Sequence, residues 1–345
     1  MNPIQPSPVV LGITCGDPGG IGLECFLKAL EENALHTQCA LVLFVAPDHL
    51  RIHQSTLQSK GQRFTYENQW RAFQGRPDTP GLYLKPLKAP DAPLTLGRFH
   101  EKWGAVSRDA LDQAISLALD GTLDGIITLP ICKESLLGTA PPYPGQTEMC
   151  AERSNTTRYA MMLAGPSMRV IPATIHIPLR DVAKHLNTAD LTDKILLVAQ
   201  SLKEEFHLAD PIIAVCGLNP HAGESGRIGS EEIQIIAPAI KKARELGVNA
   251  KGPYPADGLF VPGRYEEMDA IISMYHDQGL IPLKLLHFDE AVNTTLGIPF
   301  VRTSPDHGVG YDIAGQDQAH EGSTLAALQF ALKQCTNRQS IAPLE

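Results

Sequence analysis

Short apolar runs alternate with longer amphipathic segments along the chain, and this alternation constrains its fold more than any other feature. Parallel strands are buried on both faces and read as brief, nearly continuous apolar runs. The helices that cover them show apolar residues at helical spacing. The pattern therefore predicts an α/β protein. Strands are expected at 9–14, 40–45, 125–129, 169–175, 212–216 and 270–274, and helices at 21–30, 103–119, 191–205, 231–245 and 323–335. In the segment 191–205, Leu191, Ile195, Val198 and Leu202 share one face behind Asp190, a candidate cap.

A length of 345 residues allows one large or two medium domains, and 43% hydrophobic content is ordinary for a chain with a real core. There is no internal repeat or low-complexity tract. Proline clusters at 85–93 and 138–145 mark boundaries. The second, Thr139-Ala-Pro-Pro-Tyr-Pro-Gly145, is either a crossing between two domains or a plain surface loop.

A net charge of -9 provides no basic field for nucleic acid or anionic lipid, so an anionic ligand must be held by local groups. No stretch approaches the roughly 20 apolar residues of a membrane helix, and residues 1–8 lack the pattern of a secretory signal. The cysteines Cys15, Cys25, Cys39, Cys132, Cys150, Cys216 and Cys335 are scattered without a C-x-x-C pair, which argues against a disulfide framework or zinc knuckle. A cytoplasmic protein with reduced thiols is expected, with neither nucleic acid nor membrane as partner.

Three histidines occur at or just beyond expected strands: His176 in Ile175-His-Ile-Pro178, His221 in Asn219-Pro-His-Ala-Gly223 and His276 in Tyr275-His-Asp-Gln-Gly279. Such strand ends are where open α/β sheets bind ligands. Three neutral imidazoles suit a divalent metal, zinc above all, with positions left open for substrate oxygens. Any one of them taken alone reads as structural; the three contexts together point to a site. Asp257, in Gly252-Pro-Tyr-Pro-Ala-Asp-Gly258, and Asp277 are candidate carboxylates, each also readable as an Asx turn or helix cap.

Fixed donors for an anion lie between Lys284 and Arg302. Lys284 sits in Ile281-Pro-Leu-Lys-Leu-Leu286, Asn293 in Ala291-Val-Asn-Thr-Thr295 and Arg302 in Pro299-Phe-Val-Arg-Thr303. A lysine among leucines either answers a buried anion or snorkels to solvent. Thr14-Cys-Gly-Asp-Pro-Gly-Gly-Ile-Gly22 links a strand to a helix, with Asp17 as a possible cap and Pro18 as first helical residue. It is not the G-x-G-x-x-G dinucleotide fingerprint, and a capped turn explains it without a ligand. The loop from Arg302-Thr-Ser-Pro-Asp-His-Gly308 to Tyr311-Asp-Ile-Ala-Gly315 can present backbone donors and a carboxylate to a nucleotide, or serve as a domain-closing connection.

Gly16-Asp-Pro-Gly-Gly-Ile-Gly22, Gly217-Leu-Asn-Pro-His-Ala-Gly-Glu224, Tyr275-His-Asp-Gln-Gly279, Ala291-Val-Asn293 and Arg302-Thr-Ser-Pro-Asp-His-Gly308 resemble, in the same order, the motif series of the 4-hydroxythreonine-4-phosphate dehydrogenases. The resemblance runs over about residues 9–328. It implies a homodimer of two-domain α/β subunits related to isocitrate and isopropylmalate dehydrogenases, with the active site in the interdomain cleft and shared between subunits. The implied domains are 1–135 with 300–345, and 136–299 carrying metal ligands and dimer contacts.

The same resemblance implies one divalent metal per site on His176, His221 and His276, the last reaching across the dimer interface. Zinc is the first expectation, with magnesium or cobalt as alternatives. Thr147, Lys284, Asn293 and Arg302 match substrate-binding positions, and Gln146, also expected to touch substrate, stands where the family has a histidine that helps hold it. His307, Gly308 and Asp312 match the wider superfamily's segment for the adenosine half of NAD, with NADP the alternative cofactor. One departure stands out: the family usually has Gly-His-Thr-Glu where this chain has Gly145-Gln-Thr-Glu148.

The implied reaction oxidises the secondary alcohol of 4-phosphohydroxy-L-threonine, and the resulting β-keto acid decarboxylates, in pyridoxal phosphate (vitamin B6) biosynthesis. An electrophilic metal serves both steps. Asp257 is the candidate general base. Two other classes are a dehydrogenase for another phosphorylated four-carbon hydroxy acid or a cyclic dihydrodiol, and a catalytically silent binding protein on the same scaffold.

Overall fold

The computed structural model describes residues 7–137 and 142–340. They form two compact units, one built from the chain up to Asn155 and from Pro299–Thr336, the other from Thr156–Ile298 and the chain beyond Thr336. Of the proline-rich segment 138–145, residues 138–141 lie outside the described residues.

The first unit contains β1 (Val10–Thr14), β2 (Ala40–Val45), β3 (Trp70–Ala72), β4 (Gly81–Pro86), β5 (Gly125–Thr128) and β12 (Val301–Pro305). They pair in the order β3-β4-β2-β1-β5-β12, and every pairing is parallel. All residues of β1, β2, β5 and β12 are buried, as their two-sided covering requires. Its helices are α1 (Gly22–Glu32), α2 (Pro47–Ser59), α3 (Glu101–Leu119), α4 (Lys133–Leu137), α5 (Gln146–Arg153) and most of α11 (Gly322–Ser340). A Cβ on Gly125 would stand 2.9 Å from Cys335 Sγ, so glycine lets α11 seat directly on β5. This unit runs past residue 135 to Asn155 because α5 is tied to α3: Arg153 pairs with Asp112 at 3.0 Å and donates to Ser116 Oγ at 3.1 Å.

The second unit contains β6 (Ala160–Ala164), β7 (Arg169–Pro172), β8 (Ile213–Cys216), β9 (Ala250–Tyr254), β10 (Ala270–Ser273) and β11 (Val292–Leu296), in the order β11-β6-β7-β10-β8-β9. Strand β6 is antiparallel to both neighbours, and the rest pair in parallel. Helices α6 (Val182–His185), α7 (Thr188–Phe206), α8 (Ala237–Glu245), α9 (Ala256–Leu259) and α10 (His276–His287) accompany them. Leu280 and Leu283 of α10 pack with Val170, Ile271 and Ala214. A Cβ at Gly279 would lie 2.2 Å from Val170 Cγ1, so only glycine permits this approach.

Three local expectations are corrected. Helix α7 begins at Thr188 and is capped by Asn187, whose side chain accepts from Asp190 N at 2.9 Å; Asp190 lies inside the first turn. Asp17 does not cap α1, which starts only at Gly22, but accepts from Gly19 N at 3.0 Å in an Asx turn. The segment 231–245 opens with a π turn, Glu232–Ile236, ahead of Pro238, which has no N–H for the helical ladder. None of the seven cysteines is in a disulfide. Among the described residues no helix is long and apolar enough to cross a membrane.

Candidate active site

Strands β7, β10 and β8 are parallel neighbours in the second unit, so their carboxyl ends lie side by side. His176 follows β7, His276 opens α10 after β10, and His221 follows β8. Hydrogen bonds stitch these ends crosswise. Thr174 Oγ1 donates to Met274 O at 2.8 Å, and Ala173 N donates to Ser273 O at 2.6 Å. Gln278 accepts from Met274 N at 2.7 Å and donates to Gly217 O at 2.8 Å. Lys194, whose pKa burial lowers, donates to Pro172 O at 3.1 Å and Ala173 O at 2.8 Å.

His221 lies on a turn whose residues, from His221 to Gly226, all have φ between 43° and 90°. Four of the six are not glycine, and each such residue costs about 1 kcal/mol in the left-handed region. The buried Glu232 carboxylate braces this turn: Oε1 accepts from Leu218 N at 2.8 Å and Asn219 N at 2.7 Å, and Oε2 accepts from Asn219 Nδ2 at 3.0 Å. Gly223 makes room for it, since a Cβ there would be 2.5 Å from Oε2.

His176 and His221 are exposed and His276 is half-buried, so none is a core histidine. The rings of His176 and His276 are 6.2 Å apart between centroids, and His276 Nδ1 faces Asp277 Oδ1 at 2.7 Å. His276 and Asp277 line an open cleft of about 200 Å³ with Thr174, Ile175 and Tyr275. Among the described residues of one chain, no three His, Cys, Asp or Glu side chains come close enough together to hold a metal ion. Asp257 is exposed in the first turn of α9, which packs against the turn that carries His221. Lys284 is half-buried in α10. Asn293 is half-buried on β11, and its Oδ1 is buried without a hydrogen-bond partner among the described residues.

In the first unit, Arg302 is 3% exposed. Its Nε and Nη2 donate to Thr128 Oγ1 at 3.0 and 2.6 Å, and its Nη1 donates to Thr147 Oγ1 at 3.1 Å. Gln146 Nε2, opening α5, donates to Leu129 O at 3.2 Å. The loop with His307, Gly308 and Asp312 exposes Gly308 and Asp312, while burial lowers the pKa of His307. It is tied to the glycine-rich turn through Ile21 N, which donates to Val309 O at 2.9 Å. Farther along, Lys28 meets Asp317 at 2.7 Å and Glu24 at 3.2 Å, and Glu24 accepts from Gly315 N at 3.1 Å.

The sequence-predicted residues thus fall into two sets. Gln146, Thr147, Arg302 and the loop residues His307, Gly308 and Asp312 belong to the first unit; His176, His221, Asp257, His276, Lys284 and Asn293 belong to the second. Sequence reasoning gave no role to Thr128, Glu232 or Gln278. Gln278 stood inside a motif with two other polar residues, and that density of polar groups at a strand end was the only signal.

The family model for pyridoxal phosphate biosynthetic protein PdxA matches residues 35–331. The chain is similar to the 4-hydroxythreonine-4-phosphate dehydrogenase of Desulforapulum autotrophicum, with 40% identity over 95% of this chain and 96% of that protein. It is similar to the crystal structure of 4-hydroxythreonine-4-phosphate dehydrogenase from Klebsiella pneumoniae, with a TM-score of 0.83 and 35% identity over 96% of this chain and 99% of that one. A terephthalate 1,2-cis-dihydrodiol dehydrogenase from Burkholderia xenovorans is also similar, with a TM-score of 0.63 and 26% identity over 94% of this chain and 98% of that one.

Proposed function

The chain belongs to the PdxA family of pyridoxal phosphate biosynthetic proteins and is a dehydrogenase, and on that premise we propose that it oxidises 4-phosphohydroxy-L-threonine with NAD. The product, 2-amino-3-oxo-4-(phosphonooxy)butanoate, then loses carbon dioxide to give 3-amino-2-oxopropyl phosphate. The observation that most supports this reading is the buried Arg302, fixed by Thr128 and Thr147. A guanidinium held in one orientation presents a planar fork suited to phosphate or carboxylate oxygens. Gln146 and Thr147 would line the same anion, while Lys284 and Asn293 would orient the rest of the substrate.

His176, His221 and His276 would hold a divalent metal, zinc first, with magnesium or cobalt as alternatives. The donor set fits: the imidazoles are not packed into the core, and Asp277 fixes His276 through Nδ1, leaving Nε2 for a ligand. Such a metal, when bound, supplies a Lewis acid for the substrate oxygens. Because the described residues of one chain do not gather three such ligands, a homodimer in which His276 completes the neighbouring site is the assembly proposed. The outer face of α10 supports it, exposing Ile281 at 57%, Leu285 at 81% and Phe288 at 69%. Asp257 would accept the hydroxyl proton. Asp312 would accept from a ribose hydroxyl at the loop with His307 and Gly308, an arrangement that favours NAD over NADP. A cytoplasmic location is part of the same proposal.

The test is NADH formation by the purified protein with 4-phosphohydroxy-L-threonine and with its unphosphorylated parent, before and after chelation. Turnover of the phosphorylated acid alone, abolished by chelator, is expected. Equal turnover of both acids overturns the assignment. A second reading, a dehydrogenase for another phosphorylated four-carbon acid or a cyclic dihydrodiol, is favoured by Gln146 and by the similarity to the dihydrodiol enzyme. Preference for a dihydrodiol in the same assay would establish it.

A further inference from the structure

Gln278 is the third residue of α10, and its Oε1 accepts from Met274 N just ahead of the helix. That bond alone is a helix cap. A glutamate would serve it equally well, and its charge would favour the amino end of a helix. The amide is required by the second bond, from Nε2 to Gly217 O at 2.8 Å, because a carboxylate cannot donate. Met274 precedes His276 by two residues, and Gly217 begins the motif that turns left-handed at His221. On the other side of the same turn, Leu218 N and Asn219 N are fixed by Glu232. The backbone between β8 and His221 is therefore held at adjacent peptide groups by two side chains, one of which also holds the approach to His276.

The geometry points to Gln278 as a positioning residue that sets the His221 turn and the His276 helix start in one register. This rests on the metal reading above. Outer groups that orient metal ligands commonly change affinity by about 10- to 100-fold when removed. Gln278→Glu keeps the acceptor for Met274 N but places a carboxylate oxygen against the Gly217 carbonyl. Gln278→Met removes both bonds at similar volume.

Two measurements on the full-length protein decide the matter: zinc affinity by competition with a chromophoric chelator, and hydrogen exchange of the metal-free protein. In Gln278→Glu, exchange should rise across 217–226 while Met274 stays protected, and zinc affinity should fall about 10- to 100-fold with NAD affinity unchanged. In Gln278→Met, both segments should exchange faster. Unchanged exchange in both variants would reduce Gln278 to a dispensable contact. Faster exchange at wild-type zinc affinity would likewise overturn the positioning role. Should the wild-type protein bind no zinc, cobalt or magnesium, the metal reading itself fails, and exchange alone still reports whether the two segments are linked.

Discussion

Arg302 Nη1 donates to Thr147 Oγ1 at 3.1 Å, joining two residues 155 positions apart in the chain. Thr147 lies in the first turn of α5 and Arg302 in β12, so one contact ties a helix start to a strand at the centre of the proposed anion site.

Arg302→Lys tests that site. Lysine keeps the charge but cannot hold both threonine hydroxyls and an anion in one plane. The Michaelis constant for the phosphorylated acid should rise at least about tenfold, in line with losing a charge-assisted bond, while that for NAD stays put. Steady-state kinetics with each substrate varied in turn gives the answer, and equal changes for both would point to general disruption.

Gln146→His introduces the residue that the motif resemblance leads one to expect at this position. Gln146 uses one amide N–H on Leu129 O, leaving the other for a ligand. An imidazole adds charge only below about pH 6.5, so the Michaelis constant for 4-phosphohydroxy-L-threonine should fall more at about pH 6 than at about pH 8. A constant unmoved at both pH values would show that position 146 acts as a neutral group.

Mixed dimers examine the shared site. His221→Ala and His276→Ala should each be folded and inactive. After subunit exchange, a hybrid has one site lacking both residues and one retaining both, so activity should reappear. Silence despite exchange proven by mass spectrometry would mean that each chain supplies its own three ligands.

Acid should weaken the first unit through His49 and His53. Burial lowers the pKa of His53 to about 4 and holds that of His49 well below the ordinary imidazole value, with the neighbouring His53 adding to the effect on His49. Both are neutral when folded, and the unfolded chain takes up protons below about pH 6.5. Stability is thus full above that pH and is lost on acidification, His53 contributing about 3 kcal/mol between about pH 6.5 and 4. His49, with neither ring nitrogen hydrogen-bonded among the described residues, can be replaced by leucine, and the urea midpoint should then depend less steeply on pH between about 6.5 and 5.

The sequence revealed those elements in which composition and burial agree. Strand β2, Ala-Leu-Val-Leu-Phe-Val, has no polar residue to obscure it. Strands β11 and β12 are not legible in the sequence because Asn293, Thr294, Arg302, Thr303 and Ser304 interrupt their apolar pattern, two of them, Asn293 and Arg302, being residues of the proposed site. Helix α10 was hidden by Gly279, needed for contact with Val170, and by Pro282. The histidines of the proposed site are singled out in the sequence by residue type and place. The left-handed turn beneath His221 could not, because most of its positive φ angles belong to residues that carry no such signal.

The chain passes between its two units at Asn155, Ile298 and Thr336. Neither half is therefore a continuous stretch of gene. A fragment ending at Ile298 would lack β12, leaving the β5 edge open as a template for aggregation. Even a stop codon near the end would reach inward, because Arg338 pairs with the buried Glu205 at 2.7 Å and Asn337 donates to its backbone oxygen at 2.8 Å. Loss of only the final turn of α11 would remove the Arg338 partner of a buried carboxylate within the second unit, so nonsense mutations close to the carboxyl end should destabilise that unit.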